Sequence, residues 1–364
     1  MSQKSKVIII GGGYGGLRTA AALQNQADVT IIDRNTYFHH KAAALRGLVA
    51  KGWEDRIYVD FADIGLNASF RQGEVTQVDP DARNVTLADG DVMGFDDLVI
   101  ATGSTTVLPT ETFGASGADA RRKITEIMPD YAKAKRVIVV GDGPVGVEMA
   151  GEYRDLSPDI DITLVSSAAA PMTTVGNPKF SARVADLLKR QNIKRIGGKI
   201  VSEVGDTHVI LSDGTRVDGD IVVQAVGITP NTDWIRSFAP DWLDARGQVR
   251  VDPDLSVVGQ DRIFALGDCS DISEPKMLKM ADVQGKYLGA AILARQAGDT
   301  PDPYERFTKK LTILPFGAKD GVALLPLGQE GKVVWRPLGR FLVVKRKGTH
   351  LLSNMFPSSY AASK

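Results

Sequence analysis

Residues 6–16 read KVIIIGGGYGG. The apolar, β-branched run at 7–10 has the pattern of a strand buried on both faces. Gly11, Gly13 and Gly16 follow in GxGxxG spacing, ahead of an alanine-rich stretch of helical pattern. Each glycine meets a separate steric demand, in turn a tight turn, close approach of the backbone to a pyrophosphate, and close packing of helix on strand. The helix then offers free N–H groups and its positive end to phosphate oxygens. Gly12, Tyr14 and Gly15 complete this candidate cradle, and the next strand, VTII, ends on Asp33, where an acid is expected to hold a ribose hydroxyl.

The device recurs in RVIVVGDGPVGVEMAGE, residues 136–152, with Gly141, Gly143 and Gly146 in the same spacing and Pro144 and Val145 opening the helix. Its following strand, ITLV, ends at Ser166 and Ser167 with no acid. A 2′-phosphate would meet no repulsion there, yet no arginine follows to bind one, so NADH and NADPH both stay open. Two dinucleotide sites imply a donor and a resident carrier, which is met most economically by FAD in the first and NAD(P)H in the second. LVIATGS at 98–104, with Ala101, Thr102 and Gly103, is expected to close the first lobe; IVVQAVGITPNT at 221–232, with Gly227, does so for the second; and DRIFALGDCSD at 261–271 returns the chain to the first. The predicted fold is α/β: two Rossmann-like domains, the NAD(P) domain inserted into the FAD domain, with a short basic α+β tail. The expected boundaries are 1–105 and 227–304 for FAD, 106–226 for NAD(P)H and 305–364 for the tail.

Composition narrows the class. With 364 residues, 43% of them hydrophobic, the chain has enough material for two or three cores. A net charge of zero speaks against nucleic-acid binding. From residue 305 onward, however, eleven Lys or Arg face three acids, an excess of +8 that the rest of the chain must offset. One cysteine, Cys269, excludes an intramolecular disulfide and suits a reducing compartment. No targeting or membrane-spanning pattern is found, and Ser2 stands where myristoylation needs glycine. The expected location is cytoplasmic, or peripheral at a membrane surface.

The motif order GxGxxG, ATG, GxGxxGxE, VGxxPNT, GDC resembles the two-dinucleotide flavoprotein superfamily of glutathione reductase and type II NADH dehydrogenase. FHHKAAALR, FRQGEV at 70–75, GVEMAGE, GDCSD with PKM, and FGAKDGV resemble more closely the ferroptosis suppressor and apoptosis-inducing-factor-like family. The resemblance implies that Arg46 binds FAD, at the pyrophosphate, and that His40 lies beside the flavin ring. It implies further that Asp268 holds a ribitol hydroxyl and that Val75 meets the adenine through its backbone. A helix is expected to follow Pro275 with its positive end directed at the ring, and Met277 is expected to contact the cofactor. Glu148 is expected to reach the nicotinamide, and Lys347, placed from the shared Gly339 and Arg340, to lie near the flavin. His39 is expected to be hydrogen-bonded under a loop. Adjacent histidines diverge, so no metal site is expected.

The resemblance also implies reduction of ubiquinone- or menaquinone-type quinones to quinols. A lone cysteine rules out the dithiol relay of disulfide reductases, so the acceptor must draw electrons directly from the flavin. LGRFLVVKRKG, residues 338–348, combines apolar and basic residues suited to an anionic lipid surface, while a basic edge at a homodimer interface accounts for it equally well. The expected function is an FAD-dependent NAD(P)H:quinone oxidoreductase. The alternatives are a reductase of a ferredoxin- or rubredoxin-type protein and an apoptosis-inducing-factor-like signalling flavoprotein.

Overall fold

The computed structural model describes residues 4–112, 114–335 and 337–362; Ser2 lies outside them. The strand expected at 7–10 is Lys6–Ile10, and its four apolar residues are buried from both sides. Val7 and Ile9 pack with Leu17 and Leu23 of helix Tyr14–Leu23 and with Leu288 and Ile292 of helix Leu278–Gln296. Ile8 and Ile10 face the opposite layer, which includes Val78 and Val85 of a small antiparallel sheet. Burying each such side chain contributes about 1.5–3 kcal/mol, which is why this run sits in the middle of its sheet.

That sheet is parallel throughout, in the order Ile263–Ala265, Asp97–Ile100, Lys6–Ile10, Asp28–Asp33, Ser69–Gln72. Leu98 pairs with Ile263, so the chain leaves after residue 100 and returns in register beside its point of departure. The intervening segment holds a second parallel sheet, Lys194–Gly197, Asp161–Ser166, Arg136–Val140, Ile221–Gln224. Strand order reverses at Lys6–Ile10 in one sheet and at Arg136–Val140 in the other. Each reversal leaves a crevice at the carboxyl ends of the strands, where ligands bind in open α/β sheets. Ser104–Thr105 and Thr229–Pro230 pair antiparallel where the chain passes between lobes.

The tail begins with an antiparallel sheet, Thr312–Phe316, Asp320–Leu325 and Lys332–Val334, followed by helix Leu338–Val343 and a wide π-type turn, Val344–Gly348. It is fixed to both lobes. Gly151 brings the second lobe's helix Pro144–Leu156 so close that a Cβ there would lie 2.4 Å from the Gly317 nitrogen. Phe356 and Tyr360 are buried in the core of the first lobe, and Phe356 meets Tyr14 edge to face with centroids 5.7 Å apart. No helix among the described residues is long and apolar enough to cross a membrane.

Candidate functional site

The two glycine turns have matching geometry. Gly11 and Gly141 adopt φ +108° and +105°, in a region that side-chain-bearing residues avoid. A Cβ on Gly16 would lie 1.9 Å from the Gly11 carbonyl oxygen, and one on Gly146 1.9 Å from that of Gly141, so the third glycine seats each helix on its strand. Gly13 and Gly143 have open space where a Cβ would stand. Those are the positions where a pyrophosphate must come close.

A cavity of about 1800 Å³ runs from the first turn to the tail. Ligand pockets are typically about 300–1,000 Å³, so this one has room for a dinucleotide and a second molecule. Gly12, Gly13, Tyr14, Asp33 and Val75 of the first lobe, Ala101, Thr102, Gly103, Asp268 and Met277, and Pro144, Val145, Glu148 and Lys347 all line it. Gly11 and Gly15 also border it, whereas Gly16 lies beneath. Gly141, Gly143, Gly146, Ser166 and Gly227 stand off this cavity, on the second lobe.

At the first turn, Asp33 accepts hydrogen bonds from the Gly12 and Asn35 backbone N–H groups at 2.7 and 2.9 Å. Burial pushes its carboxyl up from the usual range, and those two N–H groups oppose the shift. Asp268 accepts from the Ser104 hydroxyl at 2.7 Å, and helix Leu278–Gln296 begins at the cavity wall behind Met277. Asn231 donates to the Thr102 carbonyl at 2.9 Å, which ties the ATG and PNT segments together.

Two of the residues expected at the flavin do not line the cavity. His40 is fully buried and does not line the cavity. The Leu351 carbonyl can only accept, so Nε2–H donates to it at 2.8 Å; Nδ1 then accepts from the Tyr14 hydroxyl at 2.9 Å. Burial pushes the imidazole down to about 4, so it is neutral at pH 7. Tyr14, rather than His40, faces the cavity. Arg46 likewise lies off the cavity, its Nε and Nη2 2.7 and 2.8 Å from the two Glu152 oxygens and its Nη1 donating to the Thr349 carbonyl at 3.0 Å. Its guanidinium stacks 4.9 Å from the Trp53 ring centroid. Burial forces this arrangement: at 5% exposure a guanidinium needs a carboxylate, and the nearby helix Pro144–Leu156 supplies one.

The fold brings Glu148 and Lys347 together, 199 residues apart in sequence, as an ion pair with Nζ 2.7 Å from Oε1 at the cavity wall. Among the other wall residues is His39, expected to be hydrogen-bonded under a loop; it borders the cavity instead, and its Nε2 has no hydrogen-bond partner among the described residues. Lys41 donates to the Ser104 carbonyl at 2.6 Å and to Glu111 at 2.8 Å, while His39 stands 3.7 Å from the other Glu111 oxygen. Burial alone would raise the Glu111 carboxyl, but its bonds to His39 and Lys41 hold it at about 2. Burial pushes His39 down. Lys276 lines the same wall and donates to the Gly267 and Ser270 carbonyls at 3.2 and 2.6 Å; burial lowers its ammonium. FHHK and PKM were the signals for these residues. Arg195, in the second lobe, has none: it reaches Asp142 from Lys194–Gly197, the strand on the far side of Asp161–Ser166.

The cradle fits FAD. Besides the open Gly13 and the cavity-lining Asp33, Thr102 Oγ1 and His39 Nε2 are buried without a protein partner among the described residues, and both residues border the cavity. Cys269 is fully buried, with Sγ 3.1 Å from the Leu266 carbonyl, and burial raises its thiol. It is not placed for thiol chemistry. The pyridine nucleotide-disulphide oxidoreductase family model matches residues 5–288. Ferroptosis suppressor protein 1 of Taeniopygia guttata is 29% identical over 357 residues, covering 95% of this chain and 93% of the relative. Apoptosis-inducing factor homolog B of Dictyostelium discoideum is 26% identical over 348 residues, covering 88% and 89%. Among solved structures, the sulfide:quinone oxidoreductase of Aquifex aeolicus superposes with a TM-score of 0.77 at 20% identity, covering 94% of this chain and 89% of the other; this likeness is one of fold.

Proposed function

The chain belongs to the pyridine nucleotide-disulphide oxidoreductase family, and from that premise we propose that it is an FAD-dependent NAD(P)H:quinone oxidoreductase. The net reaction is NAD(P)H + H⁺ + quinone → NAD(P)⁺ + quinol. Bound FAD supplies the two-electron carrier that such a reaction needs. What supports the quinone reading above all is the continuity of one cavity from the FAD cradle, past Glu148, to a tail wall that includes Ile313, Leu352, Met355 and Phe356. Such a wall suits an apolar ring and chain better than a charged protein partner. The resemblance to ferroptosis suppressor protein 1 points the same way, and a single buried cysteine leaves no dithiol acceptor.

In this reading Glu148 orients the nicotinamide end of NAD(P)H, holding the reacting atoms near the roughly 3–3.5 Å that hydride transfer requires. Lys347 Nζ fixes the Glu148 carboxylate and offers a donor to a quinone oxygen. Arg46 and His40 act at one remove: Arg46 ties the two lobes and the tail through Glu152 and Thr349, and His40 fixes Tyr14 in the wall. Leu338 and Phe341, 63% and 64% exposed, precede Lys345 and Arg346, with Lys345 Nζ 5.7 Å from the Phe341 ring centroid, and this segment forms the surface by which the tail rests on anionic lipid.

Anaerobic addition of NADH or NADPH to the yellow holoprotein is expected to bleach its absorbance near ~450 nm, a property of bound flavin. Ubiquinone or menaquinone analogues are expected to restore it, faster in the presence of liposomes. Recovery with a ferredoxin-type protein but with no quinone would overturn the assignment.

A further inference from the structure

The second lobe's sheet edge carries a feature that the reaction above does not use. We propose that Arg195 builds a phosphate-reading subsite there, which selects a pyridine nucleotide phosphorylated on its adenosine 2′-oxygen. The inference rests on the second lobe's being the NAD(P)H lobe.

Ser166 ends the second strand of its sheet, as Asp33 ends the second strand of the first. This is where a Rossmann lobe meets the adenosine ribose. In the first lobe the strand-end acid reaches back to the glycine turn, Asp33 to the Gly12 N–H at 2.7 Å. In the second the direction is reversed: Asp142, between the glycines, accepts from the Ser166 hydroxyl at 2.7 Å. Asp142 is 5% exposed, and Arg195 neutralises it, with Nε and Nη2 2.7 and 2.6 Å from Oδ2.

The guanidinium is also held in place by the backbone. Nη1 donates to the Ala169 carbonyl at 2.9 Å and Nη2 to that of Ala168 at 2.6 Å, in the segment just past Ser166. Gly197, the partner of Ser166 in the next strand, makes the seat: a Cβ there would lie 2.0 Å from Nη1. The three hydrogen bonds of Arg195 engage three of the five N–H donors that a guanidinium carries, and the side chain remains 18% exposed at the rim.

Two consequences follow for a ligand at this edge. The ribose 2′-hydroxyl finds no strand-end carboxylate to accept its proton, so NADH lacks its usual anchor. A 2′-phosphate, which carries a charge of roughly −1.5 to −2, meets a compensated carboxylate, a serine hydroxyl and a guanidinium already fixed in orientation. An acid placed as Asp33 is would repel that phosphate.

The test uses the FAD-loaded protein and two unreactive probes, 2′,5′-ADP and 5′-AMP, titrated by calorimetry. The expected result is at least tenfold tighter binding of 2′,5′-ADP by the unmodified protein. Arg195→Ala should bring the ratio to within twofold of one, any loss of 5′-AMP affinity from the uncompensated Asp142 being much smaller than the loss for 2′,5′-ADP, and Arg195→Lys should recover part of the preference. A ratio near one in the unmodified protein overturns the proposal without need of any variant. So does an Arg195→Ala protein in which both affinities fall by the same factor, because that is the signature of a residue that only holds the loop. Binding of neither probe would sink the nucleotide reading of the lobe as well, whereas failure of quinone to restore the flavin colour leaves this subsite standing.

Discussion

The two nucleotide lobes share a steric plan and differ in their charges. Gly11 and Gly141, Gly13 and Gly143, Gly16 and Gly146 meet the same constraints at nearly the same distances. Around them, the first lobe exposes an acid to the cavity at Asp33, while the second withdraws its acid, Asp142, beneath Arg195. The helices also begin differently: Tyr14 stands at the first position of one and Pro144 of the other. Tyr14 is anchored through His40 to the tail, whereas Pro144 needs no anchor, since its fixed φ already suits that position. The glycine spacing thus fixes where a dinucleotide lies, and the residues between and beyond the glycines decide which one.

One substitution made at corresponding positions divides the lobes most sharply. Gly13 and Gly143 both have free space, so an aspartate fits at either without disturbing the fold. Each would set a carboxylate against a pyrophosphate. Gly13→Asp is expected to yield folded protein that purifies colourless. Gly143→Asp should stay yellow but no longer bleach with NAD(P)H at concentrations that saturate the parent. Absorbance spectra with and without reductant check both, and a flavin-loaded Gly13→Asp protein would remove FAD from the first lobe.

The next largest effect lies where the lobes are joined. Arg46 and Glu152 are each 5% exposed and form a two-pronged ion pair between helices of different lobes. Removing one partner leaves the other charge buried, at a cost of about 3–5 kcal/mol. Glu152→Ala should therefore lower the denaturation midpoint far more than Lys133→Ala, which breaks a solvent-exposed ion pair with Asp130. Equal losses from the two would mean that Arg46 finds water or another partner.

The contrast between lobes is only partly legible in the sequence. Strands at 7–10 and 137–140, both turns and the return at 261–271 declare themselves through apolar runs and glycine spacing, because these are local constraints. Glu148 and Lys347 can be singled out through family motifs, though nothing local pairs residues 199 positions apart. Arg46 is expected at the pyrophosphate through the family resemblance; its bond to Glu152 depends on how the second lobe's helix packs and has no local signal. Arg195 has no local signal, since the stretch of chain just past Ser166 holds no arginine. The strand partner arrives about thirty residues later and is adjacent only in the sheet.

The smallest expected effect concerns the Tyr14 anchor, and it is a dependence on pH. His40 is held at about 4 in the folded protein against an ordinary value of 6.5, with burial the leading cause. Between those values the unfolded chain binds the proton and the folded one does not. Stability should therefore be fully present above about pH 6.5, fall as pH drops through the window, and change no further from this group below about 4, a total of about 3 kcal/mol. His39 is lowered too and contributes in the same sense, so the informative quantity is a difference between proteins. His40→Gln can keep a donor for the Leu351 carbonyl and does not titrate; its melting temperature should decline less than the parent's from pH 7 to 4.5. Tyr14→Phe keeps the ring in the wall but leaves Nδ1 without its donor, at a cost of about 1 kcal/mol. If both variants follow the parent at every pH, the imidazole is reached by water in solution, and the first lobe's helix is no more anchored than the second's.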